Sequence, residues 1–133
     1  MKQISQLIAR VFIGQLFLLS GISKMQWYEG MQGYMNAMSV PGELLPLVII
    51  LEVGGGLAVI AGWQIRRVSI ALGLFTLVAA AVFHNDFADQ MQLIMFMKNI
   101  AVAGGLMLLA AHGAGVYSLD QRRSAVYASS YHW

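Results

Sequence analysis

A chain of 133 residues that is 59% hydrophobic and 11% charged carries more apolar surface than a soluble domain of its size can hide, since such domains are roughly 25% charged. The net charge of +2 comes from a few Lys and Arg residues at segment ends rather than from a basic face, which gives nucleic-acid binding no support. There is no cysteine, so disulfide exchange, thiolate nucleophiles and thiolate metal sites are excluded, and any redox role must rest on a bound cofactor or a partner.

No Pro-, Ser- or charge-rich linker divides the sequence, so the expectation is one all-α membrane domain over residues 1–133. Four apolar stretches, at about 6–25, 44–62, 67–83 and 94–112, each approach the ~20 residues that carry a helix across a hydrocarbon core. The first has a basic start like a secretory signal. Its apolar part has spanning length and no small-x-small cleavage site, so it reads as a retained helix.

Between the first two spans, Trp27, Tyr28, Met31, Tyr34, Met35 and Met38 precede Pro41-Gly42, the pattern of an amphipathic interfacial segment closed by a turn. Residues 63–66 form a short turn that makes the second and third helices antiparallel neighbours, and residues 84–91 form a polar, acidic connection. Beyond Gly113 and Gly115, which suit a helix C-terminus, the tail 113–133 is polar and expected to be only partly ordered from Tyr117 onward. Lys2, Arg10, Arg66, Arg67, Arg122 and Arg123 fall on one side of a four-span bundle, whereas the other two connections hold Glu29, Glu43, Asp86 and Asp89 without Lys or Arg. The positive-inside rule therefore predicts cytoplasmic N- and C-termini.

Ionisable side chains within a span are costly and need a partner, a wet cavity or a route to the interface. Lys24 ends the first span, Glu52 lies roughly 12 Å inside the second, His84 with Asn85 and Asp86 follows the third, and Lys98 with Asn99 lies one turn into the fourth. All four helices thus send a polar group into the outer half of the bundle, with Glu52 deepest. Two readings stand side by side: Glu52 transfers protons, or it locks the bundle in an ion pair, for example with Lys98. Lys24 serves equally as a snorkelling anchor.

Arg10, Gly14, Phe17, Gly21 and Lys24 advance by four and three residues and so share one helix face. The glycines there, with Gly54, Gly55, Gly56 and Gly62 on the second helix and Gly104 and Gly105 on the fourth, read as close-packing positions. His84, His112 and His132 lie too far apart in this topology to ligate one haem, and no metal site is expected, the weak alternative being Glu52, His84 and Asp86. Met91, Met95 and Met97 read as adaptable packing.

Arg10-x-x-x-Gly14 with Gly21-x-x-Lys24, Pro41-Gly42 followed by Leu51-Glu52-Val53-Gly54-Gly55-Gly56, Phe96-Met97-Lys98-Asn99-Ile100-Ala101 with Gly104-Gly105, and His112 to Asp120 together resemble the DoxX family of small bacterial four-helix inner-membrane proteins, from Ile8 to Asp120. The resemblance implies a membrane subunit near quinone redox chemistry, with Arg10, Lys24, Glu52, Lys98 and Asn99 as its polar interior.

The leading reading is a quinone-linked oxidoreductase component of the bacterial inner membrane. In it Glu52, His84 and Lys98 act catalytically, while Lys24, Asn99 and Arg10 contact the ligand. No covalently bound cofactor is expected, and the partners are membrane lipid, a quinone, and an oxidoreductase subunit or further copies of the chain. Beside it stand a non-catalytic assembly or stress-response subunit and a small-solute transporter that works as an oligomer.

Overall fold

A computed structural model describes residues 2–115 and 117–122; Arg123 and His132 lie outside the described residues. The described residues form five α-helices, α1 (Lys2–Gln26), α2 (Tyr28–Ala37), α3 (Leu45–Ala61), α4 (Ile65–Phe83) and α5 (Gln90–His112), with a 3-10 turn at Gly42–Leu44 before α3. Among the described residues four helices, all but α2, are long and apolar enough to cross a membrane. Only 22% to 33% of each span is buried, so most of these apolar side chains face outward, as lipid-facing helices require. Helical hydrogen bonding keeps their backbone polar groups satisfied without water.

The helices form two antiparallel pairs, α1 along α3 and α4 along α5, with sparser contact between the pairs. The α1–α3 pairing follows from glycine. A Cβ on Gly14 would lie 2.7 Å from the carbonyl oxygen of Gly56, and one on Gly56 would lie 2.7 Å from that of Gly14. Only two bare backbones come this close. Gly54 and Gly104, in contrast, have nothing within 4 Å of a Cβ position, so they face outward rather than into a helix contact.

Gly62, in the left-handed conformation at φ 72°, ends α3, and Gln64, also left-handed, begins α4. This tight reversal brings α3 and α4 side by side, and both described ends of the chain fall at the same end of the bundle, here the terminal end. The opposite end carries α2.

The start of the fourth span differs from the sequence expectation, and two of the connecting segments take a definite form. The fourth span begins at Gln90 rather than 94, because the Asp89 side chain accepts the N–H of Met91 at 3.0 Å and caps the helix. Lys98 is therefore eight residues into α5, ~12 Å at ~1.5 Å per residue, not one turn. The segment after α1 is a helix over ten of its residues, with Met35 buried. The start of the tail is docked: Asp120 N–H donates to Gly62 O, and the Asp120 carboxylate accepts from Gln64 and Ile65 N–H.

Phe17, Val59, Ile65, Leu72, Leu106, Leu109 and Ala114 form the buried apolar core. It lies in the half of the bundle toward the terminal end. The half toward α2 is not filled in this way, and the polar residues gather there.

Candidate functional site

Lys24 stands near the end of α1, and the register set by Gly14 and Gly56 carries it opposite Glu52 on α3. Its Nζ lies 2.8 Å from Glu52 Oε1 and 3.0 Å from Oε2, and donates to Ser20 Oγ at 2.7 Å. The Glu52 side chain is 3% exposed and that of Lys24 18%. The partner of Glu52 is thus Lys24, not Lys98, and Lys24 is a bridging group rather than a free anchor. The sequence signal for Ser20 was available: it is a hydroxyl one turn before Lys24 on the same face.

The pair forms part of the wall of a cavity of about 320 Å³ in the α2 half of the bundle. Every helix contributes: Phe17 and Ser20 from α1, Met31, Tyr34 and Met35 from α2, Glu52 from α3, Phe75, Thr76 and Phe83 from α4, and Met95, Lys98 and Asn99 from α5. Asn99 Nδ2 donates to Thr76 O at 3.4 Å, a long bond that ties α5 to α4. His84, also on the wall, places Nδ1 3.0 Å from Gln92 Oε1. Tyr34 stacks on Phe83 with ring centroids 5.4 Å apart, so α2 roofs the cavity through an aromatic contact. Lys98 is exposed and has no hydrogen bond or ion pair to any described residue.

The charges on the wall therefore do not cancel. Lys24 and Glu52 pair with one another, and Lys98 lines the apolar chamber without a bonded partner among the described residues. Such a chamber suits a mostly apolar ligand with an acceptor or anionic oxygen at one end. Five of the six residues selected from the sequence, Lys24, Glu52, His84, Lys98 and Asn99, line it.

Arg10 does not line it. It is fully buried toward the terminal end, where its guanidinium donates to Ile60 O at 3.3 Å and to Tyr117 O. The helix face it shares with Lys24 is real, but that face packs along α3 and delivers its two cations to opposite ends of the contact. Asp86 is exposed and lies off the wall, and among the described residues no three His, Asp or Glu side chains gather as a metal site.

Comparison with known proteins agrees with this architecture. The family model described as DoxX matches residues 5–85. Inner membrane protein YqjF of Escherichia coli (strain K12) is 45% identical over 121 residues, which cover 91% of this chain and 93% of the relative. Inner membrane protein YphA of the same organism is 31% identical over 123 residues, 87% of this chain and 88% of the relative. A Bacillus subtilis (strain 168) protein named "Putative oxidoreductase CatD" is 30% identical over 80 residues, 60% of this chain and 59% of the relative. No solved structure matches.

Proposed function

The chain belongs to the DoxX family and is a multi-pass inner-membrane protein, and from that premise we propose that it is a quinone-linked oxidoreductase component with its ligand site in the α2-half cavity. The observation that carries the reading is the composition of that cavity, a chamber with apolar and aromatic walls and one unpaired cation, Lys98. Its 320 Å³ falls at the lower end of the ~300–1,000 Å³ typical of small-molecule sites, enough for a ring headgroup with its tail left in lipid. One relative carries an oxidoreductase name, which agrees in class.

The residues fit a quinone in kind. Phe75, Phe83 and Tyr34 offer ring faces and edges, and Met31, Met35 and Met95 offer thioethers that adapt to a flat guest. Lys98 and Asn99 are donors at one side of the chamber, Lys98 without an acceptor among the described residues and Asn99 on a long bond to Thr76 O. A quinone bound there would supply two-electron, two-proton redox chemistry, with electrons from a partner subunit or soluble donor. Lys98 would hold a carbonyl oxygen of the quinone. Glu52, kept in place by Lys24, and His84, at the α2 end of α4, are the proton-exchanging groups between mid-membrane and water.

A second reading has its own observation. Both Glu52 oxygens are held by one ammonium, the geometry expected of a lock that fixes α1 on α3 in a non-catalytic assembly subunit. Lys98 separates the two, because it takes no part in that lock. Protein purified in mild detergent is extracted and its lipids are scanned by absorbance and mass spectrometry for retained quinone, for the native chain and for Lys98→Met. Retention in the native chain and loss in a variant that melts at the same temperature is the expected result. A native chain without quinone, or equal retention by both, overturns the quinone reading and leaves the assembly subunit.

A further inference from the structure

A second cavity, of about 530 Å³, opens at the terminal end between the start of α4 and the end of α5. Three cationic or potentially cationic side chains, Arg66, Arg67 and His112, line it against one acid, Asp120. That acid is already committed. Its Oδ1 accepts the Gln64 N–H at 2.8 Å and its Oδ2 the Ile65 N–H at 2.9 Å, so it closes the first turn of α4 rather than neutralising the arginines. Arg66 makes only a 3.5 Å contact with Ala111 O, and neither Arg67 nor His112 has a hydrogen bond or ion pair to a described residue.

From this cationic chamber two apolar rows lead toward the middle of the span. On α4, Ile70 and Leu74 follow Arg66 at intervals of four residues, and both are more than half exposed. On α5, Leu108 and then Gly104 precede His112 at the same interval; Leu108 is 62% exposed, and Gly104 meets nothing that a Cβ would touch. Residues four apart lie on one helix face, and α4 and α5 are packed neighbours. The rows therefore bound an apolar track, shallow at Gly104, that starts at the arginines.

We propose that this end of the bundle is a binding site for an anionic phospholipid, with the headgroup phosphate in the cavity and an acyl chain along the track. Guanidinium forks are suited to two phosphate oxygens at once, which a surface ammonium is not, and basic pockets between membrane helices are fitted to acidic headgroups. The apolar track is what favours a lipid over free phosphate. The site is separate from the α2-half cavity and independent of the quinone reading.

The test is native mass spectrometry of the full chain in detergent, titrated with phosphatidylglycerol and with phosphatidylcholine of the same acyl chains, together with thermal unfolding in inorganic phosphate. Arg66→Gln/Arg67→Gln is compared with Arg122→Gln, an exposed arginine that does not line the cavity. The expected result is preference for phosphatidylglycerol, lost by about tenfold or more in the double variant, as two charge-assisted contacts imply, and kept in Arg122→Gln. Arg67→Gln alone, whose side chain has no internal partner, gives the same direction if the double variant is poorly folded. Equal uptake of the two lipids, or equal loss in Arg122→Gln, overturns the site in favour of diffuse charge attraction. Stabilisation by inorganic phosphate without lipid preference overturns the lipid assignment in favour of a soluble anion.

Discussion

Consider removing each half of the Lys24–Glu52 pair in turn. Lys24→Met leaves a carboxylate that is 3% exposed, on a short side chain about 10 Å into α3 at ~1.5 Å per residue, with no other donor bonded to it among the described residues. Orphaning a buried charge costs ~3–5 kcal/mol, and Glu52 has no stem long enough to reach the interface. Glu52→Gln leaves Lys24 with 18% of its side chain exposed, two residues from the end of α1 and still bonded to Ser20. Its four-carbon stem can lift the ammonium to the headgroups, which limits the loss to about 1 kcal/mol. In Lys24→Met/Glu52→Gln no charge is stranded, and one unpartnered buried amide costs roughly 1–2 kcal/mol. The double variant is thus more stable than Lys24→Met alone, with a coupling of roughly 2–5 kcal/mol. Unfolding in detergent, followed by the fluorescence of Trp27 and Trp63, measures this ordering. Equal damage from the two single substitutions, or a double variant that costs their sum, would refute the argument that the two charges differ in their escape routes.

Other expectations are independent of that pair. Gly56→Ala puts a Cβ 2.7 Å from Gly14 O, where neither backbone can yield, and should cost about 2 kcal/mol or more, whereas Gly54→Ala meets open space and should gain about 0.5–1 kcal/mol from helix propensity; melting temperatures of the two neighbours in opposite directions are the check. Asp120→Ala removes both acceptors at the start of α4 and should cost about 1–2 kcal/mol, with amide exchange rising first at residues 62–66. The absence of cysteine makes the chain a ready background for topology mapping. Ser118→Cys is expected to react with a membrane-impermeant maleimide only after the inner membrane is opened, and Asp86→Cys in intact spheroplasts, as the distribution of Lys and Arg requires; the reverse pattern would invert the bundle.

Depth along a helix was readable from the sequence; direction around the helix was only partly so. Counting residues placed Glu52 and Lys24 in one half of the membrane, and the four-three spacing from Arg10 to Lys24 identified the face that packs. It could not say that Lys24 rather than Lys98 meets Glu52, because that depends on the register of α1 against α3, set by Gly14 against Gly56. Apolar content alone places the start of α5 four residues late because Gln90 and Gln92 are polar, although Asp89 is a good cap and glutamine a good helix former. The two ends of the Arg10 face looked alike as charges in a span, yet one borders a cavity and the other is walled in by backbone carbonyls. The role of Asp120 was hidden for a different reason: its partners Gln64 and Ile65 lie more than fifty residues away, and no local pattern announces a cap supplied from such a distance.

The uneven filling of the bundle has a mechanical consequence. At one end, Arg10 joins α1 to the last turn of α3 and to Tyr117, Asp120 joins the tail to the start of α4, and the apolar core sits directly behind. At the other, the two helix pairs are separated by a chamber, across which Tyr34 of α2 stacks on Phe83 of α4 and makes a long 3.5 Å hydroxyl contact with its carbonyl oxygen. A bundle built this way is shaped like a tuning fork, clamped at the stem and joined at the tines by few contacts, so the stem holds the fold together whether or not the tines are filled.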